Sequence, residues 1–167
     1  MLKYTDTMVT FSEFPDEISL CINISNCQNH CKNCHSQYLW KDIGEPLYLE
    51  TLYALINNNE GITCIGLMGG DTEPNYVNTL AKAVKDLYNI KVGWYSGKES
   101  LSTLIEPENF DYIKLGPYIE ELGPLTSSTT NQKMFKVEHS KGAHRLINIT
   151  NKFWHNLNGK ETSETDN

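Results

Sequence analysis

Residues 62–90, Ile62-Thr-Cys-Ile-Gly-Leu-Met-Gly-Gly-Asp71-Thr-Glu-Pro74-Asn-Tyr-Val-Asn-Thr-Leu-Ala-Lys-Ala-Val-Lys-Asp-Leu-Tyr88-Asn-Ile90, contain a strand, a turn and a helix in immediate succession. The near-continuous apolar run over 62–68 is what a strand buried in a parallel sheet requires. It stops at Gly69-Gly70-Asp71. Val77, Leu80, Ala81, Val84, Leu87 and Tyr88 then recur at helical spacing, and Pro74 and Asn75 suit the entry of that helix.

The same alternation extends outward on both sides. Residues 17–25 put Ile18, Leu20, Ile22 and Ile24 on one face, which predicts a strand. Leu49, Leu52, Tyr53 and Ile56 follow i, i+3, i+4, i+7 and predict a helix ending in the polar run 57–61. Residues 91–95 predict a third strand that stops at Ser96-Gly97. Leu101, Leu104 and Ile105 predict a short helix, and 110–115 a fourth strand ending at Gly116-Pro117. Strand and helix signals in alternation imply an α/β fold with a mostly parallel sheet covered by helices. Right-handed crossovers bring the outgoing strand ends to one edge, where such sheets bind ligands. Residues 132–137 read as a further strand and 149–157 as a closing helix. Residues 160–167 are polar, lack apolar anchors and read as a disordered tail, which leaves 1–159 as a single domain.

The chain has 167 residues, enough for one core and too few for a complete eight-fold (β/α) barrel of about 250 residues. Fourteen Lys and Arg against 21 Asp and Glu give a net charge of −7, which argues against a nucleic-acid partner. No apolar run approaches the roughly 18 residues of a membrane span, so no membrane partner is expected. Residues 1–6 lack the apolar core of a secretory signal, and the expected location is the cytoplasm.

Five cysteines, an odd number in a chain read as cytoplasmic, argue against a disulfide framework. Three crowd into Cys27-Gln-Asn-His-Cys31-Lys-Asn-Cys34, in the loop that leaves the first predicted strand, and such crowding points to metal. A structural zinc site normally closes with four ligands from paired units, and no second pair exists here. His30 and His35 adjoin cysteines too closely to share their ion, and His139 and His144 are remote and without recognisable spacing. A cuboidal iron–sulfur cluster normally takes four thiolates; three from one loop cover three irons and leave the fourth open to a substrate. Cys21, on its strand, and Cys64, in the buried run, read as structural.

Cys27-x-x-x-Cys31-x-x-Cys34 after a first strand, with Gly69-Gly70-Asp71 after the second, resembles the signature of the radical S-adenosylmethionine superfamily. Three further stretches narrow the resemblance to the activating enzymes of anaerobic ribonucleotide reductase: residues 27–40, Trp94-Tyr95-Ser96-Gly97, and residues 111–132. The resemblance covers roughly residues 17–137. It implies a truncated radical S-adenosylmethionine β/α barrel. It implies a [4Fe–4S] cluster on Cys27, Cys31 and Cys34, with S-adenosylmethionine chelated at the open iron. It also implies cosubstrate contacts from Asn33, Cys34, His35, Gly69, Gly70, Asp71 and Ser96, with Asp71 suited to the methionyl ammonium. The partners implied are the reductase large subunit, which would receive a glycyl radical, and an electron donor such as flavodoxin or ferredoxin. The chemistry would reside in the cofactors, with no catalytic side chain.

The residues leave three other readings open. An activase for another glycyl-radical enzyme, of formate-lyase type, would share the core motifs. A zinc-binding module would be colourless, and an iron–sulfur electron carrier would be coloured but would not cleave S-adenosylmethionine. Lys114 is read either as a partner for a carboxylate in the site or as a solvent-facing side chain.

Overall fold

The buried run forms a strand over Cys64–Met68, flanked on both sides by parallel neighbours. The computed structural model describes residues 1–154. In chain order its strands are β1 (Lys3–Thr10), β2 (Ser19–Ile24), β3 (Glu45–Pro46), β4 (Cys64–Met68), β5 (Lys91–Tyr95), β6 (Tyr112–Leu115), β7 (Lys133–Ser140) and β8 (Ala143–Asn148). Two α-helices, α1 (Leu49–Asn57) and α2 (Pro74–Leu87), accompany them. All eight strands join one sheet in the order β3-β1-β2-β4-β5-β6-β7-β8.

The fold is α/β, but the sheet is mixed and not mostly parallel. The central pairings β2–β4, β4–β5 and β5–β6 are parallel, whereas β1–β2, β1–β3, β6–β7 and β7–β8 are antiparallel. A parallel pair needs a crossover of about a dozen residues or more. Eight residues separate β1 from β2 and two separate β7 from β8, so these neighbours must run antiparallel. The sheet does not close, and β3 and β8 stand at its two edges.

Two further expectations are corrected. Leu101, Leu104 and Ile105 form no helix; the segment is a turn followed by a 3-10 turn at Pro107–Asn109. The closing helix is a 3-10 turn at Thr150–Phe153, and its remaining residues from 155 on, like 160–167, lie outside the described residues.

Helix α2 buries Val77, Leu80, Ala81 and Val84 against one face of the sheet, where Leu20, Ile22, Ile65, Leu67, Val92, Trp94 and Ile113 form the main core. Each large aliphatic side chain buried there contributes roughly 1.5–3 kcal/mol. The other face is organised in two layers by the parallel register. Cys21, Gly66, Gly93 and Tyr112 lie abreast in one, and Asn23, Met68, Tyr95 and Lys114 in the next, nearer the outgoing edge. Phe14, fully buried, fills the first layer: a Cβ on Gly93 would come 2.2 Å from its ring, and one on Gly66 2.9 Å. Glycine is required at both positions because an aromatic ring occupies the space of their side chains.

Candidate functional site

The cysteine loop leaves β2 at the outgoing edge and closes on itself. The Asn26 amide donates to the Lys41 carbonyl at 3.0 Å and the Cys27 amide to the Leu39 carbonyl at 2.9 Å. Each cysteine is preceded by a residue with positive φ: Asn26 (62°) before Cys27, His30 (44°) before Cys31, Asn33 (56°) before Cys34. Asn and His tolerate this left-handed conformation better than most residues. Left-handed residues alternating with right-handed ones also build the N–H-lined concavities found at iron–sulfur sites. All three cysteines are free and half-buried, and the Ser36 amide donates to Cys34 Sγ at 3.4 Å. The His30 ring stacks on Trp40 with centroids 4.9 Å apart.

Asn33 and His35, both exposed, reach the segment after β6. The Asn33 side-chain Nδ2 donates to Glu120 Oε2 at 2.6 Å, and the His35 ring sits 5.6 Å from that of Tyr118. Residues 118–120 therefore lie against the cysteine loop. Tyr118, Ile119 and Leu122 are half-buried there.

Gly69-Gly70-Asp71 follows β4 on the same edge. The Trp94 indole N–H donates to the Gly69 carbonyl at 2.8 Å, and the Gly69 amide to the Tyr95 carbonyl at 3.0 Å. Gly70 has φ +94°, and a Cβ there would meet Val77 Cγ2 at 2.7 Å and Leu2 Cδ1 at 3.2 Å. Glycine is required here by the fold itself, since the missing side chain would point into the core. Asp71 joins three segments. Its carboxylate accepts from Ser96 Oγ at 2.5 Å, the Gly97 amide at 2.8 Å and Asn29 Nδ2 of the cysteine loop at 3.4 Å. Asn29 packs against Gly97, where a Cβ would come 1.8 Å from its Nδ2, and it accepts from Lys98 Nζ at 3.0 Å. Neither Asn29 nor Lys98 carries any spacing signal that would have marked it in the sequence.

Lys114 does not face solvent. It is buried, donates to the Gly116 carbonyl at 2.9 Å and lies 5.5 Å from the centre of the Tyr95 ring. Burial pulls its ammonium down to about 8, against the opposing charges of Cys31, Asp71, Cys34 and Cys27. Cys21 and Cys64 lie buried in the sheet, away from the loop, as expected of structural thiols. Burial, followed by the charge of Glu13, pushes Cys21 up to about 12.

The donor set can be tested against the two metal chemistries. Ligands of one zinc ion share a single sphere with sulfurs at about 2.3 Å from the metal. Among the described residues no three His, Cys, Asp or Glu side chains converge in that way. A cuboidal cluster takes its thiolates at different irons, so it asks for sulfurs spread around a space, with N–H groups near them and a cation to balance charge. Cys27, Cys31 and Cys34 share one loop, the Ser36 amide lies on Cys34 Sγ, and Lys114 is buried at the end of β6, residue types that suit such a group. A cavity of about 560 Å³ lies at the opposite, incoming edge, lined by Glu17, Lys85, Lys91, Asp111 and Tyr112 among others. Four of its charged side chains are paired, Lys91 with Glu17 and Lys85 with Asp111. No helix among the described residues is long and apolar enough to cross a membrane. Comparison with protein-family models, curated proteins and solved structures gives no match.

Proposed function

We propose that this chain is a radical S-adenosylmethionine enzyme on a truncated β/α barrel, which activates anaerobic ribonucleotide reductase by generating a glycyl radical on its large subunit. One observation carries the reading: the three-cysteine loop, the Gly69-Gly70-Asp71 turn and the buried Lys114 meet on a single strand-end edge. In this reading Cys27, Cys31 and Cys34 hold a [4Fe–4S] cluster. The bound cluster would supply the single electron that cleaves the sulfonium of S-adenosylmethionine.

The chain's own residues bind and orient. Lys114 offers a desolvated ammonium, the natural partner of a carboxylate. Asp71 has about four lone-pair sites, and Ser96, Gly97 and Asn29 leave room for one further donor, such as an ammonium. Two opposite charges held at the ends of β4 and β6, on either side of β5, suit the two ends of an amino-acid zwitterion. The backbone of Asn33, Cys34, His35 and Gly69 supplies the rim for the nucleoside. Residues 118–120, lying on the loop, restrict water on one side. The open sheet leaves another side for a protein segment bearing the target glycine and for a donor such as flavodoxin or ferredoxin.

The test is anaerobic reconstitution and reduction, with assay of 5′-deoxyadenosine and EPR after addition of the reductase large subunit. The expected result is 5′-deoxyadenosine together with a glycyl-radical doublet. A doublet only on a formate-lyase-type enzyme would keep the superfamily and change the partner. Stoichiometric zinc without iron would replace the reading with a binding module, and iron without cleavage would replace it with an electron carrier.

A further inference from the structure

His139 and His144 face each other across the hairpin of β7 and β8, in direct register. The two-residue turn between the strands contains Gly142 at φ +76°, a conformation glycine adopts without strain. On β7, His139 shares a face with Val137, which is buried in the main core, so both imidazoles lie on the covered side of the sheet, just past the core's end. Because β7 runs antiparallel to β6, the pair lies at the incoming edge, opposite the cysteine loop.

The Nδ1 atoms of the two rings stand 3.2 Å apart. Two nitrogens on one tetrahedral metal, each about 2.05 Å from it, are about 3.3 Å apart. The outer nitrogens also have partners. His139 Nε2 is 3.7 Å from Asp111 Oδ1, and His144 Nε2 is 3.9 Å from Glu108 Oε2. These are ion-pair rather than hydrogen-bond distances, within the range that slight closure would shorten. Metal-ligating histidines usually give their second N–H to a carboxylate, which fixes the tautomer and makes the free nitrogen a better donor. Asp111 is itself held by Lys85 Nζ at 2.8 Å and the Val92 amide at 2.8 Å, so that carboxylate is anchored.

We propose that His139 and His144 form a bidentate site for a borderline divalent transition-metal ion of the zinc, cobalt or nickel class, with Glu108 and Asp111 orienting the imidazoles. The side chains are 37% and 32% exposed, so water completes the coordination sphere. An ion there clamps β7 to β8 across a two-residue turn and tightens the free edge of the sheet. The site shares no residue with the cysteine loop and stands or falls independently of the proposed activity.

The test is anaerobic titration of the reduced full-length chain with Co²⁺, followed by absorption. Cobalt on the loop thiolates gives sulfur-to-metal charge transfer, whereas cobalt on the histidines gives only ligand-field bands, so the two sites are read separately. The parent is expected to bind one Co²⁺ with the nitrogen-type spectrum. His139→Ala and His144→Ala, on an exposed hairpin and checked for folding by circular dichroism, are expected to weaken that phase at least tenfold, and Glu108→Gln about tenfold. Unchanged affinity of the nitrogen-type phase in both histidine variants would overturn the site, as would a parent whose bound cobalt all shows thiolate charge transfer. Unchanged affinity in Glu108→Gln would overturn the orienting role given to that carboxylate.

Discussion

The carboxylate of Asp71, at the end of β4, holds the end of β5 through Ser96: the hydroxyl donates to Oδ1 at 2.5 Å while the next amide, of Gly97, donates to Oδ2 at 2.8 Å. Asp71→Asn keeps the shape but leaves only one acceptor oxygen and turns an NH₂ toward one of these donors. The expected cost is about 1–3 kcal/mol, or a Tm lower by roughly 2–10 °C. An unchanged Tm accompanied by lost 5′-deoxyadenosine would assign Asp71 to ligand binding alone.

Gly70→Ala is expected to destabilise the protein by about 2–4 kcal/mol without any cofactor, because the new methyl meets Val77 Cγ2 at 2.7 Å and the backbone has positive φ. Adding Val77→Ala removes the clashing methyl, so the pair should be less destabilised than the sum of the single changes. Strict additivity in urea unfolding would place the whole cost in the backbone.

Lys114→Met replaces a buried ammonium with a side chain of similar length. Removing a desolvated charge should leave Tm unchanged or raise it. Affinity for S-adenosylmethionine should fall at least tenfold. A large drop in Tm with intact affinity would make Lys114 a structural cation.

Iron content should distinguish the cysteines. The anaerobically reconstituted parent is expected to hold about four irons per chain. Alanine at Cys27, Cys31 or Cys34 should abolish retention, and alanine at Cys21 or Cys64 should not. Equal loss of iron in the Cys64 variant would show the ligands to be wrongly assigned.

Alkaline pH should destabilise the fold. Burial, with the charge of Glu13, pushes Cys21 from its ordinary 9.0 to about 12. Burial first, and then the charge of Glu17, pushes Cys64 and Tyr112 upward as well. The folded chain thus holds these protons more tightly than the unfolded one. Their contribution is fully present below the unfolded values and is lost as pH climbs through them toward the folded ones. Lys114, held down to about 8, acts in the opposite sense, because the unfolded chain keeps that proton to higher pH. In a Lys114→Met background the unfolding free energy in urea should be flat to about pH 8.5 and decline toward pH 11, by up to about 1.4 kcal/mol per pH unit and group. Cys21→Ala should make the decline shallower. An unfolding free energy level to pH 11 in that background would refute the assignment.

The central strands were legible because they are buried on both faces: residues 91–95 form a strand with those same bounds, and 62–68 contains β4. Strand β1 escaped notice because Lys-Tyr-Thr-Asp-Thr-Met-Val-Thr is half exposed, with no apolar alternation to mark it. Strand β8, Ala-His-Arg-Leu-Ile-Asn, is equally mixed, and only Gly142 hinted at a turn before it. In the candidate site, spacing and position singled out the cysteines and Asp71. The burial of Lys114 could not be read, since a lysine between Ile113 and Leu115 looks like the solvent side of an alternating strand. Only tertiary structure reveals that both faces are covered there.

The neck of the cysteine loop, where Asn26 and Cys27 bond to Lys41 and Leu39, uses none of the sheet's ladder. Asn29 reaches Asp71 and Lys98, and Asn33 reaches Glu120, through side chains. The loop is therefore a cassette inserted at the end of one strand. Its closure is met locally by these two backbone bonds. If the proposed cluster is held in this cassette, its loading and removal are expected to leave the scaffold beneath folded.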